Sequence, residues 1–387
     1  GPRQPILSSK NFTDLVRESA ERNTSGTTLY RLGYARYEFL VTGGLTAATL
    51  LAERCVATHA SPLLLNKPIP IDVTSVAGIV KLSITTDPSH LLGFLITAAE
   101  AAREANAATM LYDSRMKLVH ERSFKILNSI KLALASKDQL HLVFQPRVRV
   151  SDGAIIGAEA LLRWSHPELG NLPPAEFIPI AEQTSFMSLI TDWVVEKNGL
   201  RQIATWQRCF RPFKLSINIS AMDLCRLDFV ERVVVSLARH GVPPSAIELE
   251  ITEGALVQSP EAASTALDQL RNAGISVAID DFGSGFSNLA QLHRFPVDVL
   301  KIDRTLISSI LASEQDALIV RSAIEFAHAL GYTVVAEGVE DQTLYAVLEQ
   351  SLCDEIQGYY VSRPMTAEAF EKWIRQHSAC RLREQEG

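Results

Sequence analysis

Cysteine is scarce and shows no pairing logic: Cys55, Cys209, Cys225, Cys353 and Cys380 are five in number, lie far apart and form no C-x-x-C. An odd, scattered set argues against a disulfide framework and against a thiolate zinc site, and is the pattern of a reducing cytoplasm. Long apolar runs are missing as well, since no stretch reaches the roughly 18 uninterrupted residues that a membrane span needs. Positive charge is not in excess: 37 Lys and Arg against 44 Asp and Glu leave a net charge of −7. That balance excludes a broad basic footprint for long nucleic acids, although a local acidic cluster can still hold cations that bind small phosphorylated ligands. There is no initiator Met and no signal pattern; the opening Gly1-Pro2 reads as the scar of a cleaved tag, with residues 1–9 a leader. Upstream domains are then expected to be missing, and membrane attachment is expected only through such a segment.

What is present is a chain of 387 residues, 47% hydrophobic and 21% charged, enough for two or three domains with cores of their own. From about residue 138, short β-branched runs alternate with longer amphipathic stretches, the pattern of repeated βα units and a parallel sheet. Strands are expected at 142–150, 158–164, 214–219, 247–251, 276–281, 297–302, 333–336 and 355–359, with helices at 229–240, 262–273, 317–330 and 343–351 between them. About eight strands over this length predict an α/β, TIM-like (β/α)8 barrel at 138–378, followed by a tail at 379–387. Residues 10–115 read as a smaller α/β unit with helices at 12–22, 46–59 and 89–106 and strands at 37–42 and 72–82. Met116, Val119, Phe124, Ile126, Leu127, Ile130, Leu132 and Leu134 place a connecting helix at 116–137.

Functional groups of barrels sit at the C-terminal ends of strands. Here Glu159 lies in the second strand, Asn218 ends KLSIN, Glu250 ends IELE, Asp280 and Asp281 follow VAI, Lys301 follows VDVL and Glu337 follows TVVA. Isolated carboxylates are costly in such buried runs, so something must compensate them. A single strand-end acid is as readily an ion pair or helix cap, but the whole set is not. Five carboxylates and one amide oxygen, without His or Cys, suit a hard cation, Mg²⁺ or Mn²⁺. Two ions sharing Asp280, about 3.5–4 Å apart, would suit in-line displacement at phosphorus, with Lys301 and Asp281 sharing the base role.

Glu159-Ala160-Leu161-Leu162-Arg163-Trp164, Glu250-Ile251-Thr252-Glu253, Asp280-Asp281-Phe282-Gly283, Glu337-Gly338-Val339-Glu340 and Gln357-Gly358-Tyr359 resemble, in order and spacing, the motifs of the EAL-domain family. The resemblance implies metal-dependent hydrolysis of cyclic di-GMP to linear pGpG and homodimerisation through this domain. It implies Glu159, Asn218, Glu250 and Asp280 as ligands of one ion and Asp280, Asp281 and Glu337 as ligands of the other. Lys301 would position or deprotonate the attacking water. Gln145, Glu159, Leu162, Arg163, Asn218, Glu340 and Tyr359 resemble substrate-contacting positions, and Gln357 the glutamine that orients the metal and water cluster. Glu253 resembles the anchor of the loop 281–289, where Ser284, Phe286 and Asn288 depart mildly from the family's pattern. Arg147, in Gln145-Pro146-Arg147-Val148, stands where the family usually has an apolar residue, and touches solvent or the other domain in this reading. The readings to be set against an enzyme are a silent cyclic di-GMP receptor or scaffold and a metal phosphodiesterase for other nucleotides.

Residues 10–115 resemble the latter part of a GGDEF domain. Arg36-Tyr37-Glu38-Phe39 sits at that family's signature, but Ala35, Arg36 and Tyr37 replace its Gly, Gly and Asp, and Gly26-Thr27-Thr28-Leu29 replaces its inhibitory Arg-x-x-Asp. The paired glycines and the acid that bring backbone and metal to a nucleotide are gone, so no cyclase activity is expected.

Overall fold

The computed structural model describes residues 29–33, 36–42, 44–57, 74–83, 88–209, 213–258, 260–283 and 295–385. The chain divides into two compact units, residues 1–125 and 126–387. The helix expected at 12–22 lies outside the described residues.

In the N-terminal unit β1 (Leu29–Gly33) and β2 (Arg36–Phe39) form an antiparallel hairpin whose register slips between Arg31 and Gly33. Helix α1 (Gly44–Ala57) follows, and β3 (Ala77–Ile79) pairs parallel with β4 (Thr109–Leu111) across the crossover helix α2 (Pro88–Glu104). The strand expected at 72–82 is thus a three-residue strand where described, and β4 was not anticipated. The connecting helix α3 (Ser114–Ala135) starts where Asp113 Oδ1 accepts the Arg115 amide at 2.9 Å. Its last turns belong to the second unit: Ile126, Ile130 and Ala133, at helical spacing, are buried in the barrel core.

Eight strands close the barrel in the order β5 (Leu140–Arg149), β13 (Glu355–Gln357), β12 (Thr333–Ala336), β11 (Val299–Ile302), β10 (Ser276–Phe282), β9 (Ile247–Thr252), β8 (Lys214–Asn218) and β6 (Ile155–His166), with β5 pairing back to β6. A ninth strand, β7 (Gly170–Leu172), extends β6 as a hairpin. Seven of the eight run parallel, but β5 is antiparallel to both β6 and β13, which corrects the expectation of an all-parallel sheet. The reason is chain length: only residues 150–154 join β5 to β6, and a parallel crossover needs a dozen or more. Gly153 takes a left-handed φ of 63° there, and Asp152 Oδ1 accepts the Ala154 amide. The Asp-Gly pair is a hairpin signal that the sequence did carry.

Residues 174–206, to which no element was assigned from sequence, form α4 (Pro174–Glu182), α5 (Phe186–Asp192), a π-helical turn (Trp193–Gly199) and α6 (Leu200–Trp206). Phe177, Ala181, Ile190, Val195, Leu200, Ile203 and Trp206 bury one side of this stretch against the strands. The expected helices at 229–240, 262–273, 317–330 and 343–351 appear within three residues of their bounds, as Phe229–His240, Pro260–Asn272, Glu314–Ala329 and Gln342–Gln350.

Candidate functional site

Strand β9 is buried on both faces, and its sequence IELEIT shows why charge can survive there. Ile247, Leu249 and Ile251 pack outward, while Glu248 and Glu250 alternate with them toward the lumen, and all five are 0% exposed. The same alternation brings Glu159 from β6, Asn218 from β8, Asp280 from β10, Lys301 from β11 and Gln357 from β13 to one end of the barrel, joined by Glu337, which follows β12.

Lys301 is at the centre and is 0% exposed. Its Nζ lies 2.8 Å from Glu250 Oε2, 3.0 Å from Asp280 Oδ1, 2.7 Å from Glu337 Oε1 and 3.8 Å from Glu159 Oε2. Burial works against the ammonium, but Asp280, Glu159, Glu250 and Glu337 outweigh it and hold Lys301 well above the ordinary lysine value. Glu159 accepts from Asn218 Nδ2 at 2.7 Å and from Gln357 Nε2 at 2.5 Å. Gln357 Nε2 also donates to Gln145 Oε1 at 3.2 Å, and Gln145 Nε2 donates to the Ser362 carbonyl at 3.1 Å.

One lysine does not neutralise this many acids. Burial, with Asp280 and Asp303 nearby, lifts Asp281 to about 6; burial, with Asp280 and Glu159, lifts Glu337 to about 8 against the pull of Lys301. Glu250 is raised well above the ordinary range by burial and by Glu159 and Asp280, whereas Lys301, Gln357 and Asn218 overcome burial to keep Glu159 below it. Glu250 Oε1 is buried without any hydrogen-bond donor. Oxygens of Glu159, Glu250 and Asp280 lie within 4.8 Å of one another, as do those of Asp280, Asp281 and Glu337. An all-oxygen set with a shared aspartate and an orphaned carboxylate oxygen fits hard divalent cations.

The remaining expected positions surround this cluster to different degrees. Asp281 has a φ of 57°, a strained value for a residue with a side chain, inside β10 where its register against β11 shifts between Ile279 and Phe282. Glu253 is buried at the first turn of the helix Glu253–Gln258; of the loop it was expected to anchor, residues 284–289, including Ser284, Phe286 and Asn288, lie outside the described residues. Arg163 is half-buried with Nη1 donating to the Leu162 carbonyl at 2.8 Å, while the Leu162 side chain lies in the hydrophobic core. Tyr359 lies beyond β13, which ends at Gln357 rather than 359; the residue is 46% exposed, with the Arg363 guanidinium 4.2 Å from its ring centroid. Glu340 is exposed and pairs with Arg304 at 2.7 Å. Gly338 and Gly358 are sterically required: a Cβ on Gly338, at φ 66°, would meet Arg304 Cγ at 2.3 Å, and one on Gly358 would meet the Val339 carbonyl oxygen at 2.1 Å.

The sequence reading missed a second polar layer and misplaced one of its members. Arg147 touches neither solvent nor another domain: it is 2% exposed inside the barrel, where it pairs with Glu248 and Glu355. The signal was available, because Glu248 lies two residues before Glu250 and therefore on the same face of β9.

The family model described as EAL domain matches residues 127–364, and the match leaves the N-terminal unit outside it. The chain is 33% identical over 368 residues to a Pseudomonas aeruginosa protein named cyclic di-GMP phosphodiesterase PA2567, covering 94% of this chain and 62% of that protein. It is 32% identical to MucR of the same organism, named a bifunctional diguanylate cyclase/cyclic di-GMP phosphodiesterase, over 92% of this chain and 52% of that one. The chain thus spans roughly half to three fifths of the length of these curated relatives. Among solved structures, the PaMucR phosphodiesterase in complex with c-di-GMP superposes with a TM-score of 0.60 at 36% identity, covering 64% of this chain and 99% of that one. The EAL enzyme Bd1971, bound to cAMP and cyclic di-GMP, gives 0.63 at 32% identity, covering 75% and 77%. A closed eight-stranded barrel, five motifs in order and a family match over well over half the residues lead to one assignment: the chain belongs to the EAL domain family.

Proposed function

We propose that this chain hydrolyses cyclic di-GMP to linear pGpG. The carrying observation is the convergence of Glu159, Glu250, Asp280 and Glu337 around Lys301, with the Glu250 oxygen unsatisfied. The choice of substrate is supported by the relatives, one named a cyclic di-GMP phosphodiesterase and others solved with that nucleotide. Glu159, Asn218, Glu250 and Asp280 would hold one Mg²⁺ or Mn²⁺, and Asp280, Asp281 and Glu337 a second. Such ions, when bound, acidify a water and neutralise charge developing on the phosphate.

The chain's own groups prepare that chemistry. Gln357 and Asn218 donate to opposite oxygens of Glu159 and fix its plane. Lys301, within 3.0 Å of Glu250, Asp280 and Glu337, would orient the attacking water, whose proton would fall to a carboxylate, which we read as Asp281. Arg163 and Tyr359, with Gln145 and Glu340, would bind the nucleotide at the barrel mouth. Homodimerisation through the barrel is part of this reading, as are limits of 116–137 for the linker helix and 138–378 for the catalytic domain. We read the N-terminal unit as a degenerate GGDEF-like domain without cyclase activity; its support is the small α/β architecture and the loss of Gly, Gly and Asp at 35–37. No helix among the described residues is long and apolar enough to cross a membrane.

The test is incubation of the chain with cyclic di-GMP in Mg²⁺ or Mn²⁺, in parallel with EDTA, and chromatography of the nucleotides. Metal-dependent pGpG is the expected outcome. Intact nucleotide despite measurable binding would replace the enzyme with a receptor.

A further inference from the structure

The lumen of the barrel carries two polar layers built from the same strands. Four strands each give one residue to either layer, two positions apart: Gln145 and Arg147 on β5, Asn218 and Ser216 on β8, Glu250 and Glu248 on β9, Gln357 and Glu355 on β13. Because β5 runs against its neighbours, its later residue falls into the lower layer, while on the other three strands the earlier one does.

The lower layer is closed around one guanidinium. Arg147 Nη1 and Nη2 donate to Glu248 Oε1 and Oε2 at 2.5 and 3.2 Å, and Arg147 Nε lies 2.7 Å from Glu355 Oε2. Ser216 Oγ donates to Glu248 Oε1 at 2.9 Å, and Lys214 Nζ lies 3.9 Å from Glu248 Oε2. Arg147 is 2% exposed and Glu248 is 0% exposed. Burial opposes both charges, yet each partner holds the other ionised.

Such a network is a poor way to gain stability, since apolar residues of the same volume usually do as well or better. What it does supply is geometry. The planar fork of an arginine fixes direction as well as distance; here its two hydrogen bonds to Glu248 tie β9 to β5 across the lumen, and Nε adds an ion pair to Glu355 on β13 that lacks hydrogen-bond geometry. Each tied carboxylate lies two residues below a member of the acidic site: Glu248 below Glu250, and Glu355 below Gln357, which itself donates to Glu159. We propose that Arg147 is a positioning residue of the acidic site, fixing the height of Glu250 through Glu248 and that of Gln357 through Glu355, so that the upper oxygens converge before any cation gathers them. This inference rests on the reading of the upper layer as a metal-dependent phosphodiesterase site.

The test compares the full chain with the triple variant Arg147→Met/Glu248→Gln/Glu355→Gln, which neutralises the lower layer without stranding a charge, and with Arg147→Lys, which keeps the charge and removes the fork. Melting temperature, Mn²⁺ affinity by calorimetry, and kcat and KM for cyclic di-GMP are measured on each. Groups that orient metal ligands typically govern affinity or activity about 10–100-fold. The triple variant is expected to fold, to lose Mn²⁺ affinity and kcat by about that factor, and to keep its KM. A folded triple variant with wild-type Mn²⁺ affinity and kcat overturns the proposal and leaves Arg147 as packing alone. If the triple variant does not fold, Arg147→Lys decides: weaker Mn²⁺ binding at an unchanged melting temperature supports the positioning role, and wild-type binding overturns it. Wild-type protein that neither binds Mn²⁺ nor hydrolyses the nucleotide is a different failure; it removes the phosphodiesterase reading, and this inference with it.

Discussion

In the barrel, Glu159, Glu248, Glu250, Asp280, Arg147 and Lys301 are each at most 8% exposed, whereas every buried residue described in the N-terminal unit is apolar: Leu51, Ile79, Ala98 and Ala102. Both units are made of strands and helices, and both bury what they must to fold. Among the described residues only the barrel also buries charge, which is costly unless it is paired. On the proposed phosphodiesterase reading the barrel carries groups whose cost is accepted for chemistry, and the N-terminal unit shows none among its described residues.

The largest break in that contrast comes from emptying the barrel's site. Glu159→Ala removes a carboxylate from both the Lys301 pairs and the candidate cation cluster. Loss of several kcal/mol of charge stabilisation would lower turnover by on the order of a thousandfold. The metal-free fold should survive, because one fewer acid relieves repulsion on Glu250 and Glu337. Steady-state hydrolysis and calorimetric melting measure the two halves, and turnover near the wild-type rate would remove Glu159 from the site.

Lys301→Met sharpens the comparison from the opposite side. It leaves Glu250, Asp280 and Glu337 buried around a neutral side chain, and breaking a buried ion pair from one side costs about 3–5 kcal/mol. Urea unfolding without metal should show that loss, and saturating Mn²⁺ should restore part of it through binding to the folded state. A variant as stable as wild type without metal would mean that Lys301 makes no net stabilising ion pair with these acids in the metal-free fold.

The pH dependence of metal binding is the next effect in size. Asp281 at about 6 and Glu337 at about 8 hold protons that a cation must displace. A raised carboxyl holds its proton below its own value, so the Asp281 proton weakens binding below about pH 6 and the Glu337 proton up to about pH 8, each by roughly tenfold per unit below that value. Calorimetry in buffers of different ionisation heat counts those protons, and a flat profile from pH 6 to 8 would exclude Glu337 as a ligand that holds a proton in the free site.

The sequence made the upper layer legible because acids at the ends of apolar strands are anomalous wherever they occur. Glu159, Asn218, Glu250, Asp280, Asp281 and Glu337 could be assembled on that ground, with Lys301 among them, before any contact was known. The i, i+2 spacing made the facing of Glu248, Arg147 and Glu355 legible, but not their pairing, for a physical reason. Arg147 shares the face of Gln145 two residues earlier, but its partners on β9 and β13 are set by the closed barrel and not by anything local in the chain. The direction of β5 was itself encoded in Asp152-Gly153, a local signal that the longer βα rhythm concealed. Residues 174–206 were unread because their apolar pattern is broken by a π-helical turn at Trp193–Gly199, which shifts the period off 3.6.

The smallest expected effect lies in the N-terminal unit, and it tests whether the contrast between the regions is one of chemistry. Arg36 and Glu38 stand on β2 at the position where the resemblance placed a nucleotide signature. Glu38 is only half-buried and belongs to no buried charge network like the one around Arg147. Substitutions away from such features usually change stability by less than about 0.5 kcal/mol, so Arg36→Ala and Glu38→Ala should leave pGpG formation within about twofold. Incubation with GTP and Mg²⁺ should give no cyclic di-GMP in either variant or in the parent chain. Formation of cyclic di-GMP by the parent would show that the unit retains chemistry without Gly, Gly and Asp at 35–37. A tenfold change in hydrolysis with no cyclase activity would instead make it a regulator of the barrel, acting through packing and not through a site of its own.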